Sequence, residues 1–160
     1  MATSASIAKH PIHPMLVVFP IGLWIFSLVA DIVLLLGGSD RWNDIAFYTM
    51  TGGIIGALLA AVPGLIDMFS ITDAVVGKIA WNHMILNLIA VGIFALNLYL
   101  RIDNIPGAAL PIILSVAGIA FIAVSGWLGG EMVYVHGMGV DQRAKGTAGK
   151  TDRGRLRRLG

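Results

Sequence analysis

The sequence predicts an all-α fold, an integral membrane bundle of four antiparallel helices, and three observations carry that prediction. Hydrophobic residues fill 57% of the 160 positions, charged residues only 12%, and the mean hydropathy is +0.84, whereas soluble domains carry about twice that share of charge. Four apolar stretches, 14–36, 46–66, 79–100 and 108–128, each reach the length a helix needs to cross hydrocarbon. Trp42, Tyr48, Trp81, Tyr99 and Tyr134 fall near the ends of these stretches, where amphipathic rings favour the membrane interface. Residues 1–140 therefore read as one transmembrane domain and 141–160 as a flexible, basic cytoplasmic tail.

The first span is introduced by His10-Pro-Ile-His13-Pro14, in which each histidine precedes a proline. A polyproline-like segment or a helix starting at Pro11 would each put both imidazoles on one side. The span lacks a small-residue cleavage site at its end, so it is expected to stay in the protein. The second span carries Gly52, Gly53 and Gly56 and closes with Pro63-Gly64 and Asp67. The third holds His83 about one turn inside, with Asn87 four residues on and on the same face. The fourth contains Gly118, Gly126, Gly129 and Gly130 and ends in Glu131 and His136, with Gly137 placed to turn the backbone inward. Small residues at these spacings serve close helix packing in lipid. No internal repeat is evident.

With four spans, both termini share one membrane face with the loop 67–78. That face holds nine of the eleven basic residues, Lys9, Lys78 and seven in the tail, against Arg41 and Arg101 opposite. The positive-inside rule makes it cytoplasmic. Asp31, Asp40, Arg41, Asp44, Arg101 and Asp103 on the other face read as ordinary loop and helix-end charges. Within the tail, 144–151 matches a relaxed phosphate-binding loop, but only nine residues follow it and no strand precedes it. Neither a nucleotide nor a nucleic acid is expected as a partner; the basic tail suits lipid headgroups.

All four histidines, His10, His13, His83 and His136, fall toward the cytoplasmic face. Ionisable groups at membrane depth are expensive and should point into the bundle, which makes these residues the candidate cofactor ligands. Asp67, Asn87 and Glu131 are candidate supports for them. With no cysteine in the chain, a metal would have to be held by nitrogen, oxygen or thioether. No nucleophile–base arrangement points to a stand-alone enzyme.

The chain resembles a bacterial family of small four-helix membrane proteins catalogued as a domain of unknown function. The resemblance covers about residues 8–140 and rests on His10-Pro-Ile-His13-Pro-Met-Leu-Val-Val-Phe-Pro-Ile-Gly-Leu-Trp24, Ala61-Val-Pro-Gly-Leu-Ile-Asp67, the His83 region and Gly126-Trp-Leu-Gly-Gly-Glu131-Met-Val-Tyr-Val-His136-Gly. Similar proteins carry a further histidine where this chain has Val18. Some relatives are joined to a Rieske-type iron–sulfur domain, so the resemblance implies a connection to electron transfer.

Three functions follow as expectations. The first is a b-type haem protein, with imidazoles from different helices as axial ligands. The second is a site for an Fe, Zn or Cu ion built from the same histidines with Asp67 or Glu131. The third is a structural or accessory subunit without a cofactor. Partners expected besides the lipid bilayer are a redox protein or larger membrane complex, or further copies of the chain.

Overall fold

The computed structural model describes residues 4–8, 10–102 and 108–140. Lys9, Asp103, Gly107 and the tail with its phosphate-loop-like string lie outside the described residues. The described chain opens in a small antiparallel hairpin, β1 (Ser6–Ile7) and β2 (His10–Pro11), with Ala8 at a φ of +49° in its turn. Helices α1 (Ile12–Leu16), α2 (Val18–Leu35), α3 (Arg41–Phe69), α4 (Ala74–Arg101) and α5 (Ala109–Tyr134) follow. α1 and α2 together make one span, so four helical segments are long and apolar enough to cross a membrane. Helix is the local solution because lipid offers the backbone no hydrogen-bond partner.

The division between α1 and α2 has a chemical cause. Pro20 has no N–H for the carbonyl of Leu16 and its ring crowds that carbonyl. Pro14 and Pro111 instead lie in the first turns of α1 and α5, where the missing N–H costs nothing. The helices run past the apolar stretches: α4 starts at Ala74, so His83, one turn inside its apolar stretch, lies nine residues, about 13 Å, along the helix.

α2 packs along α3 and α4 along α5, forming two antiparallel helical hairpins; contacts of α3 with α4 and of α2 with α5 close the bundle. Trp24, Met50, Ala90, Phe94 and Ile122 form the central core, and Val76, Ala80 and Met132 form a second cluster toward the end that carries the β-hairpin.

Although no internal repeat is evident in the sequence, the two helical hairpins place corresponding residues in corresponding contacts. His13, Trp24, Ser27 and Asp31 of the first correspond to His83, Phe94, Asn97 and Arg101 of the second, each 70 positions on. Ala46, Gly53, Ala60 and Gly64 of α3 correspond to Pro111, Gly118, Ser125 and Gly129 of α5, each 65 positions on. The bonds correspond as well. Ser27 donates to the Ala46 carbonyl at 2.9 Å, and Asn97 to that of Pro111 at 2.8 Å. Residues touch their own counterparts at three levels: His13 with His83, Trp24 with Phe94, and Asp31 with Arg101. These self-matched contacts line up between the two hairpins, along a pseudo-two-fold axis.

Candidate functional site

At the level of the first pair, the His13 and His83 rings are 6.3 Å apart, centroid to centroid, and nearly perpendicular at 87°. Each is anchored to the opposite helix of its own hairpin. His13 Nδ1 donates to the carbonyl of Ala60 on α3 at 2.8 Å, and His83 Nδ1 to the carbonyl of Ser125 on α5 at 2.8 Å. A carbonyl only accepts, so both rings carry a proton on Nδ1, and in the neutral imidazole the lone pair is then on Nε2.

A helical carbonyl is shielded by the side chain four residues on, and in both hairpins that residue is glycine. A Cβ at Gly64 would lie 2.8 Å from His13 Nδ1, and one at Gly129 3.3 Å from His83 Cε1. The glycines therefore make room for imidazoles.

His83 has further partners. Asn87 Nδ2 donates to His83 Nε2 at 3.0 Å and to the His83 carbonyl at 2.9 Å, which fixes the amide orientation. The Ser125 hydroxyl lies 2.9 Å from His83 Nδ1, accepting a share of its proton, and donates to the His83 carbonyl at 3.4 Å.

The other sequence candidates are placed elsewhere. His10 is exposed on β2, with Nδ1 against the Ala8 carbonyl at 3.0 Å, so it does not share the half-buried setting of His13. Asp67 is buried and accepts from the Ala5 amide at 2.8 Å, tying the N-terminal arm to the end of α3. The Glu131 carbonyl accepts from the amides of Val135 and His136 as α5 ends, and Gly137 follows at a φ of +67°. His136 lies by the start of α4. The amides of Val76 and Val75 and then the charge of His136 hold the Asp73 carboxyl below its usual range. Among the described residues, no three His, Asp or Glu side chains stand together as a metal-holding group.

Below the histidines, Trp24 and Phe94 stack at 4.3 Å and 7°. Behind them, a Cβ at Gly53 would lie 2.5 Å from the indole and one at Gly118 2.6 Å from the phenyl ring. The third level corrects the reading of Asp31 and Arg101 as ordinary helix-end charges. They form a buried two-pronged ion pair, at 2.8 and 2.7 Å, 2% and 8% exposed. Asn97 accepts from Arg101 Nε at 3.0 Å, and Ser115 donates to Asp31 at 3.2 Å. Asp40, Arg41 and Asp44 are exposed, as the sequence suggests.

Sequence reasoning missed Ala60, Ser125, Trp24 and Phe94 as parts of this axis. The signal was the shared spacing His-x10-aromatic-x6-charge, His13…Trp24…Asp31 and His83…Phe94…Arg101. No curated protein and no solved structure matches the chain. Residues 9–142 match a family described as predicted membrane protein (DUF2231). A four-span bundle whose matched segment contains all three axial pairs thus belongs to that family of membrane proteins.

Proposed function

We propose that His13 and His83 would together hold one b-type haem, and that the protein transfers electrons in the membrane, alone or as a subunit beside a redox partner. The observation that carries this reading is the matched pair of imidazoles, one from each hairpin, with both Nδ1 atoms held by carbonyls. Ligating histidines commonly donate their other N–H in this way, which orients the ring and raises the basicity of the ligating nitrogen. With ring centroids 6.3 Å apart, the two imidazoles are close enough for both to approach one shared iron.

A haem would supply a one-electron couple whose potential follows its axial ligands and their hydrogen bonds. Asn87 would release His83 Nε2 and keep its bond to the His83 carbonyl. Haem needs only two ligands from the protein, whereas an Fe, Zn or Cu ion generally draws three or four. His10, His136, Asp67 and Glu131 would have to move to complete such a set. The bond from Asn87 to His83 Nε2 favours a second reading, in which the pair only locks the hairpins together.

Absorption spectra of the purified protein, oxidised and then reduced, test the proposal; the sharp reduced bands of a six-coordinate haem are expected. A spectrum without them, together with stoichiometric metal by elemental analysis, would favour the bare ion. With neither, the pair is a structural lock. The basic excess supports both termini being cytoplasmic, in a bacterial inner membrane if the resemblance holds for location too, so a reporter fused at Gly38 is expected to be external.

A further inference from the structure

The three axial levels differ in one respect. The histidine level and the aromatic level each match like with like, whereas the third matches Asp31 with Arg101. If two first hairpins met across the axis, two buried carboxylates would face each other; two second hairpins would set guanidinium against guanidinium. Buried like charges are strongly disfavoured, and a buried polar pair can fix which partner an interface accepts. The other two levels supply no such discrimination.

We propose that the Asp31–Arg101 pair is a pairing key, which lets a first hairpin accept only a second hairpin, from its own chain or from another copy of this chain. Exchange between copies is topologically open. Both hairpins begin and end at the same end of the bundle, and only Ser70–Asp73 join α3 to α4, so no helix need recross the membrane. The surfaces on either side of the axis would be the same in an exchanged bundle.

The test uses full-length chains carrying two different affinity tags, with Asp31→Arg on one and Arg101→Asp on the other. Expressed alone, each variant sets like charges against each other, and its yield of monodisperse protein should fall roughly ten-fold or more. Expressed together, they should recover as a 1:1 complex, because exchange rebuilds one bundle with the native aspartate–arginine pair and one with the pair reversed. The variant Asp31→Leu/Arg101→Met separates a key from a structural support. It should accumulate like wild type, since apolar replacement of a buried ion pair is commonly neutral or stabilising. The proposal is overturned if either charge variant alone is a wild-type-like monomer, if co-expression restores neither yield nor co-purification, or if the apolar pair fails to accumulate.

Discussion

Replacing Gly118 by alanine tests the packing on the axis where it is tightest. The new Cβ would lie 2.6 Å from Phe94 Cε2 and 2.7 Å from Cζ, so the ring must retreat by about 0.8 Å to reach ordinary contact at 3.4 Å. It has nowhere to go. Trp24 is stacked on its other face at 4.3 Å, and the backbone of Gly53 backs Trp24 in turn. Overpacking of this kind costs about 1–3 kcal/mol, against about 1 kcal/mol gained by putting alanine for glycine in a helix. Gly92→Ala is the control, because its Cβ meets nothing within 4 Å. The propensity gain is common to both, so Gly118→Ala should be less stable than Gly92→Ala by about 2 kcal/mol, roughly a thirty-fold change in the unfolding equilibrium. Unfolding in mixed micelles by SDS titration, followed by far-ultraviolet circular dichroism, measures the difference. Equal midpoints for the two alanines would refute the sandwich of two rings between two glycines.

Three further outcomes are expected. Asp67→Ala removes a carboxylate acceptor worth about 1.5–3 kcal/mol to the Ala5 amide, so hydrogen exchange at Ala5 and Ile12 should accelerate roughly ten-fold or more while the α4–α5 core is unchanged; unaltered exchange there would show that the arm is held otherwise. Asp73 accepts from Val75 and Val76 and its carboxyl sits below the ordinary 3.8. A depressed carboxyl stabilises the fold above its unfolded value and loses that contribution as pH falls through its folded value, so protection of the Val75 and Val76 amides should fall only below about pH 3.8, and Asp73→Asn should flatten this dependence. Gly129→Val should displace His83 from the Ser125 carbonyl, shifting the His83 imidazole resonances in nuclear magnetic resonance spectra, whereas Gly126→Val, at a position with open space, should leave them in place.

The spans were legible because lipid imposes one crude rule, about 20 apolar residues per crossing, and the interfacial rings marked their ends. Exact bounds were not: polar residues such as Asn43, Asp44, Lys78 and Glu131 end the apolar windows but are readily carried in helical turns. His83 and Asn87 were legible as neighbours because four residues bring side chains together on a helix. The repeat was hidden by chemistry. Trp24 answers to Phe94, Ser27 to Asn97 and Asp31 to Arg101, so equivalent positions share geometry without sharing residues. The first hairpin also holds five more residues between its histidine and the carbonyl that binds it, 47 positions against 42. For the same reason the Asp31–Arg101 pair escaped notice. Each residue lies within a turn of a helix end, and only the fold brings positions 70 apart into contact. That His10 lies exposed on a strand was not legible, because a two-residue strand pairing with Ser6–Ile7 leaves no periodic pattern.

The proposal is that the haem ligands are the two histidines on the axis and not all four histidines of the chain. Reduced-minus-oxidised absorption spectra of four single variants, His10→Ala, His13→Ala, His83→Ala and His136→Ala, test it most directly, each normalised to protein retained in the membrane. His13→Ala and His83→Ala are each expected to abolish the six-coordinate bands, while His10→Ala and His136→Ala keep them. Bands that survive loss of either axial histidine, or that depend on His10 or His136 to the same degree, would contradict it.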